Sequence, residues 1–322
     1  MGVPFGVFTP QGWRMDLVEI ADPVEQWEAM TAVAKAADAG PWDSIWLYDH
    51  FHPVPQPPQP TTVFECWTTT AALARDTQRV NIGQMVGCNG YRNPALYAKM
   101  ASTVDVASRG RLYAGIGAGW YEHEWRAYGY QWPELRDRMG SFREGVEIIY
   151  TMWTEDAPVF SGKYHSINMP INLPKGVRKP HPMLWIGGGG ERVTLKLVAK
   201  FADACNIGFG QPDQVRHKLD VLHRHCDALG RDFDEIVKST TITAFPLEKG
   251  ADPDKATAKA RGRKSTAEFL KSGIVAPSEE IGDHIQTLLD AGANYIINYI
   301  PGVAYDHEPL HRYAEEIIPR FN

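Results

Sequence analysis

The residues most capable of chemistry stand at the end of an apolar run in "WDSIWLYDHF", where Asp49 and His50 follow the β-rich segment Ser44 to Tyr48. Imidazole is the side chain that changes charge near neutrality. A histidine at the rim of a fold can therefore handle the proton that accompanies hydride transfer to or from a carbon bearing oxygen or nitrogen. His50 and His52, with Asp49 and Glu65 nearby, also have the composition of a metallohydrolase site. Against that reading, His52 precedes Pro53 and no second cluster of His and Asp appears further along the chain. No metal is expected.

Two glycine-rich stretches raise a different chemistry. In "GRLYAGIGAGWYEHEW" the glycines fall at Gly115, Gly117 and Gly119. That spacing departs from the G-x-G-x-x-G of dinucleotide-binding turns, so a Rossmann site is weakly supported. In "IGGGGERVTLKLVAK" four consecutive glycines, Gly187, Gly188, Gly189 and Gly190, precede Glu191 and an amphipathic helical pattern. Bare backbone N–H groups and the positive end of a helix dipole favour an anion, and a phosphate fits there. Arg192, Lys196 and Lys200 lie along that helix and read as solvated surface residues.

These residues need a scaffold. β-rich runs at Phe5–Phe8, Ser44–Tyr48, Val80–Val86, Leu112–Ile116, Met183–Gly187, Ala204–Ile207, Ile236–Thr243 and Asn294–Tyr299 alternate with helical patterns. Such alternation is the signature of parallel βα units. After Asn93 as N-cap and Pro94 at the first helical position, Leu96, Tyr97, Met100, Ala101, Val104 and Ala107 are read as one face. From Asp213 to Leu229, Val215, Leu219, Leu222, Cys226 and Leu229 recur at helical spacing before a Gly230 stop. A last helix carries Leu310, Tyr313, Ala314 and Ile317 and ends near Pro319. Eight such units without a composition break predict an α/β fold, a (β/α)8 TIM barrel forming a single domain over residues 1–322. Insertions are expected near residues 52–60, 157–182 and 248–278: a proline-dense wall, a short hairpin, and a polar, helix-prone and mobile segment.

Composition limits the partners. A net charge of −6 with both signs interspersed supplies neither a basic field for nucleic acid nor a polybasic face for a membrane. Cys66, Cys88, Cys205 and Cys226 are far apart and read as reduced, buried thiols. With no leader-like start and no long apolar run, a cytoplasmic location is expected.

In a barrel of this kind the active site gathers at the carboxyl ends of the strands. The shortlist is therefore Thr9-Pro10, Asp49-His50, Gln84-Met85-Val86, Gly117-Ala118-Gly119-Trp120, Gly187 to Gly190 and Asn206. Phe8, Phe51, Trp67, Trp120 and Tyr121 read as walls for a large, partly apolar small-molecule substrate. Glu122 and Glu124 could place a carboxylate near the site, although glutamates in a loop are more often solvated.

"WDSIWLYDHF", "YRNPALYAKMASTVDVASRGRL", "GIGAGWYEHE" and "IGGGGERVTLKLVAKFADACN" together resemble the luciferase-like superfamily of flavin and deazaflavin oxidoreductases, most of all its branch of coenzyme F420-dependent hydride transferases. The likeness runs from about Phe5 to Asp234. It implies a barrel mouth holding a deazaflavin, its phosphate toward the fifth strand and its ring near Asp49, with Gly117 to Trp120 alongside. It also implies a non-prolyl cis peptide within Gln84-Met85-Val86, at either bond, and a substrate proton handled by His50. FMN is the alternative cofactor, as in the monooxygenase relatives, and a homodimer is compatible with the resemblance. Trp120 and Val54 depart from the carboxylate and tryptophan that the sugar-phosphate dehydrogenases of this superfamily carry there, so a sugar phosphate is disfavoured as substrate.

Overall fold

The computed structural model describes residues 2–322 apart from 209 and 263. The barrel strands are β1 (Phe5–Phe8), β2 (Ser44–Leu47), β3 (Asn81–Gln84), β4 (Leu112–Gly117), β5 (Met183–Gly187), β6 (Ala204–Asn206), β7 (Val237–Leu247) and β8 (Tyr295–Tyr299). Each pairs in parallel with the next. β1 pairs with β8, and the pairing of Val237 with Ala204 joins β7 to β6 and leaves the ring without an open edge. All eight strands stand where the sequence places them. β2, β3 and β6 stop one or two residues earlier than read, and β7 runs on to Leu247.

The barrel interior is aromatic, where branched aliphatic residues are more usual. Trp46, Tyr113, Trp185 and Tyr295 fill it, with the Trp46 and Trp185 rings 4.8 Å apart. Such rings fit only because facing positions are small. A Cβ on Gly83 would fall 2.6 Å from the Trp46 ring. At the amino end, Ser44 and Tyr295 share a 2.5 Å hydrogen bond, and the Tyr295 hydroxyl donates to Asp43. The larger apolar core lies outside the ring, between strands and helices.

The principal helices are α1 (Pro23–Ala39), α2 (Cys66–Asp76), α3 (Pro94–Ala107), α4 (Glu122–Ala127), α5 (Leu135–Thr154), α6 (Thr194–Phe201), α7 (Pro212–Leu229), α8 (Ser278–Asp290) and α9 (Glu308–Arg312). Asn93 caps α3 by accepting from the Ala95 N–H, and α7 ends in Gly230 at φ 65°. Two readings of helix faces are corrected. Leu96 is exposed, because the buried stripe of α3 is Tyr97, Ala98, Ala101, Ser102 and Val104; Leu229 is exposed because it sits on the final turn of α7. The last segment continues from α9 through a π turn and a short 3-10 turn to Phe321.

The insertions have definite shapes. Residues 52–60 form bends that meet the barrel mouth, where the Val54 N–H donates to the Trp13 carbonyl at 2.9 Å. Val159–Ser161 and Ser166–Asn168 form the expected hairpin. Three short helices between Pro253 and Leu270 lead to a strand, Ile274–Pro277, which pairs with the extended end of β7 and lies outside the eight β-rich runs of the sequence. The four cysteines are free and buried. Among the described residues no helix is long and apolar enough to cross a membrane.

Candidate active site

A cavity of about 930 Å³ opens where the strands end, and every barrel strand except β8 contributes to its lining directly or through the loop that follows. Phe8 comes from β1, and Tyr48, Asp49 and His50 follow β2. Met85 and Val86 follow β3, and Gly117 to Tyr121 close or follow β4. Gly187 to Gly189 end β5, Asn206 ends β6, and Thr241 lies on β7.

His50 is the centre of the arrangement. Its Nδ1 meets the Glu124 Oε1 at 2.6 Å, and its ring stacks on Trp13 with centroids 4.4 Å apart and planes within 6°. Glu124 is completely buried, so the expectation of a solvated carboxylate is wrong. The first turn of α4 brings it beneath the 50–52 loop, where Oε2 accepts the backbone N–H groups of Phe51 and His52 and Oε1 accepts the Tyr91 hydroxyl at 2.5 Å. Burial pushes its acidity toward a higher pKa. Hydrogen bonds from His50, Tyr91 and Phe51 more than offset that, holding the carboxyl below its ordinary value. It is therefore an anion at neutral pH, and it orients the imidazole by accepting from Nδ1.

Asp49 lies beside His50 with both oxygens engaged. Arg92 donates to Oδ2 at 2.6 Å and to Oδ1 at 3.0 Å, and the Cys88 N–H donates to Oδ2 at 2.7 Å. Burial alone would lower the Arg92 pKa, but Asp49 overcomes it and holds the guanidinium firmly charged. Arg92 also reaches Glu65 at 2.6 Å. A carboxylate so engaged fixes the strand ends rather than accepting a substrate proton. Among the described residues no three His, Cys, Asp or Glu side chains are grouped to hold a metal ion.

The non-prolyl cis peptide lies between Met85 and Val86, which decides between the two bonds left open by the sequence. The alternate glycines are bare for an internal reason. A Cβ on Gly117 would lie 2.7 Å from a Val86 methyl, one on Gly187 2.8 Å from the other, and one on Gly115 1.8 Å from the Gln84 carbonyl oxygen. Gly119 adopts φ +79°, where a side chain would also press on Cys88. Crowding between neighbouring strand ends, with Val86 wedged between β4 and β5, thus accounts for the G-x-G-x-G pattern.

With this geometry established, the family follows from sequence comparison: residues 3–294 match the model of the luciferase-like monooxygenase family. The chain belongs to that family. Among relatives of this luciferase-like chain, the F420-dependent glucose-6-phosphate dehydrogenase of Amycolatopsis mediterranei (strain U-32) is 27% identical over 307 residues, covering 86% of this chain and 90% of the relative. An FMNH(2)-dependent dimethylsulfone monooxygenase of Pseudomonas putida is 22% identical over 287 residues, covering 79% and 78%. The solved structure of an F420-dependent secondary alcohol dehydrogenase in complex with an F420-acetone adduct superposes with a TM-score of 0.77 at 20% identity over the whole of both chains, a likeness of fold.

The glycine turn of this luciferase-like barrel lies partly on and partly off the cavity. Gly187, Gly188 and Gly189 line the cavity, Gly188 at φ +115°, and its N–H bonds to the Asn206 carbonyl at 3.1 Å. α6 begins at Thr194, which also faces the cavity, and its N-cap residue Val193 supplies no side-chain cap to the first turn. Gly190 and Glu191 lie off the cavity. Glu191 turns outward to Lys218 at 2.6 Å and His217 at 3.0 Å, and those two bonds lower its pKa. Arg192, Lys196 and Lys200 are exposed, as expected.

Other expected wall residues also divide. Phe8 and Tyr121 line the cavity, and Trp120 stands 60% exposed at its rim. Phe51 instead packs on Tyr128 and Tyr91, because the Glu124 bonds turn its side chain away from the cavity. Trp67 is buried against Tyr97, since α2 presents it to the helix layer. Gln84 is buried too, bonded to Thr70 at 3.0 Å. Trp13, Arg14, Tyr48, Cys88 and Tyr91 line the cavity but carry no sequence signature that singles them out.

Proposed function

We propose that this luciferase-like chain is an oxidoreductase that transfers a hydride between coenzyme F420 and an organic substrate, with His50 carrying the accompanying proton. The observation that carries the reading is a cavity-facing imidazole whose Nδ1 is held 2.6 Å from a carboxylate wholly shielded from water. Relatives named for F420, aligned over most of their own lengths and of this chain, support the choice of cofactor. When bound, the deazaflavin supplies a carbon that gives or takes a hydride and reacts little with oxygen.

The cavity suits such a group. Phe8, Met85 and Val86 offer apolar surface to a flat ring, while the Gly189 backbone, the Thr194 hydroxyl and the first turn of α6 offer donors to a phosphate. Glu124 keeps the Nδ1 proton in place, so neutral His50 presents an Nε2 lone pair to the substrate and protonated His50 presents an N–H. Asp49 and Arg92 hold the β2 and β3 ends in register around that imidazole. Trp120 and Val54 shape an apolar substrate end, which favours a body less polar than a sugar.

Equilibrium titration of the apoprotein with F420 and with FMN tests the cofactor assignment. F420 is expected to bind at micromolar concentrations or below, and more tightly than FMN. Binding of FMN with none of F420 would place the chain with the FMN-dependent monooxygenases instead.

A further inference from the structure

The turn that follows β1 puts a cation into the cavity wall that the hydride-transfer reading does not use. Met15 adopts φ 57°, the Met15 N–H bonds to the Gly12 carbonyl at 2.9 Å, and the Asp16 Oδ1 accepts from the Gly12 N–H at 2.8 Å. This tight loop projects Trp13 and Arg14 into the cavity. The Arg14 guanidinium lies 4.3 Å from the centroid of Tyr299 and 5.4 Å from that of Trp13. Among the described residues its Nε is buried without a hydrogen-bond partner. Among the described residues no carboxylate forms an ion pair with it; Asp16, turned to the Gly12 N–H, acts on it only from farther away.

Charge along the cavity lining sharpens the point. Asp49 is neutralised by Arg92, and Glu124 is committed to His50. The remaining ionised groups on the lining are Arg14 and Lys264, both cationic and neither in an ion pair among the described residues. Aromatic faces return part of the cost of holding a partly desolvated cation, but a counter-ion returns more. Trp13 stacks on His50 and also neighbours Arg14. Arg14 and the imidazole thus share Trp13 as a neighbour, and an oxyanion held by Arg14 would lie in the same part of the cavity as His50.

We infer that Arg14 is a specificity-determining residue that binds an anionic group of the substrate, a carboxylate or a phosphate, and so positions the substrate's reactive carbon at His50. The guanidinium fork suits either group, because each presents two oxygens to paired N–H donors. The inference deepens, and rests on, the oxidoreductase reading of this cavity.

The test is calorimetric titration of the F420-saturated protein with benzoate, phenyl phosphate and benzamide, in wild type, Arg14→Gln and Arg14→Lys. Wild type is expected to prefer at least one of the two anions over benzamide by about ten-fold or more. Arg14→Gln should abolish the preference and Arg14→Lys retain part of it, with F420 binding unchanged in both. Preference for benzoate alone assigns a carboxylate, and for phenyl phosphate alone a phosphate. Equal binding of all three probes to wild type, or an undiminished preference in Arg14→Gln, overturns the inference. If Arg14→Gln does not fold, the wild-type ratio and its reduction in Arg14→Lys decide. If wild type fails to bind F420, the cofactor assignment falls, and the same titrations on the apoprotein still judge Arg14.

Discussion

Replacing Glu124 by Gln isolates what the buried carboxylate does, because the structure determines how the amide must sit. Two backbone N–H groups, from Phe51 and His52, converge on Oε2 at 2.8 and 3.1 Å and cannot turn around. The amide oxygen must take that side, so the NH₂ faces His50 Nδ1 and the Tyr91 hydroxyl. Both can respond: the tyrosine accepts instead of donating, and the imidazole moves its proton from Nδ1 to Nε2. The variant therefore keeps the amide's own groups paired, with the Tyr91 O–H turned toward the cavity, and loses the charge assistance of its bonds, about 2 kcal/mol in total. Its neutral imidazole, however, now presents an N–H to the cavity and no lone pair. Nitrogen-15 NMR of histidine-labelled protein reads this directly. Wild-type His50 should show the Nδ1–H tautomer and Glu124→Gln the Nε2–H tautomer, with a loss of turnover of about 100-fold or more once a substrate is in hand. An Nε2–H tautomer in wild type, or no change in the variant, would refute the orienting role of Glu124.

Gly187→Ala places a methyl 2.8 Å from Val86 Cγ1 and should cost about 1–3 kcal/mol in urea denaturation while weakening F420 binding; unchanged values would show that the wedge of Val86 is compliant. Trp120→Ala, at a residue 60% exposed, should leave stability within about 0.5 kcal/mol while weakening ligand binding several-fold in the same titrations. Asp16 gives a pH signature of unusual sign. Burial raises its pKa from 3.8 to about 6, so the folded state holds the proton more tightly and stability falls as pH rises through that interval, by about 3 kcal/mol at most. Asp16→Asn should remove this component, so the difference between the wild-type and variant urea midpoints should shift between about pH 4 and about pH 6 and stay level above it.

Fold and site differ in how far the sequence exposes them, and for a physical reason. Strands buried on both faces are continuous apolar runs, and βα units repeat them, so all eight were legible within a residue or two at most ends. Motif-bearing residues at strand ends, Asp49 to His50 and Gly187 to Gly189, were legible because the architecture fixes which end carries chemistry. Contacts between loops have no period. The bond between His50 and Glu124 spans 74 residues, and only the descent of α4 under the 50–52 loop makes a surface-like glutamate into a buried ligand of the imidazole. The same want of periodic signal hid Arg92, Tyr91 and Arg14, and it let Phe51 and Trp67 pass as walls when each turns into a neighbouring layer.

The glycines carry the sharper lesson, because their presence was legible and their cause was not. Bare backbone at Gly117 and Gly119 suggests a ligand pressed against it, yet the nearest atoms a Cβ would strike belong to Val86 and Cys88. Close approach by the protein itself is sufficient. In the proposed reading the phosphate contact then falls to Gly189, where the nearest obstacle to a Cβ is 3.4 Å away and belongs to the Lys218 side chain. It follows that alanine at Gly117 should damage the fold first and binding only as a consequence. Alanine at Gly189, in contrast, should leave the urea midpoint nearly unchanged while reducing affinity for a phosphorylated ligand. Should Gly189→Ala bind F420 as wild type does, the phosphate would have to be held elsewhere on the rim, and the role assigned to the α6 turn would be lost while that of His50 and Glu124 remained.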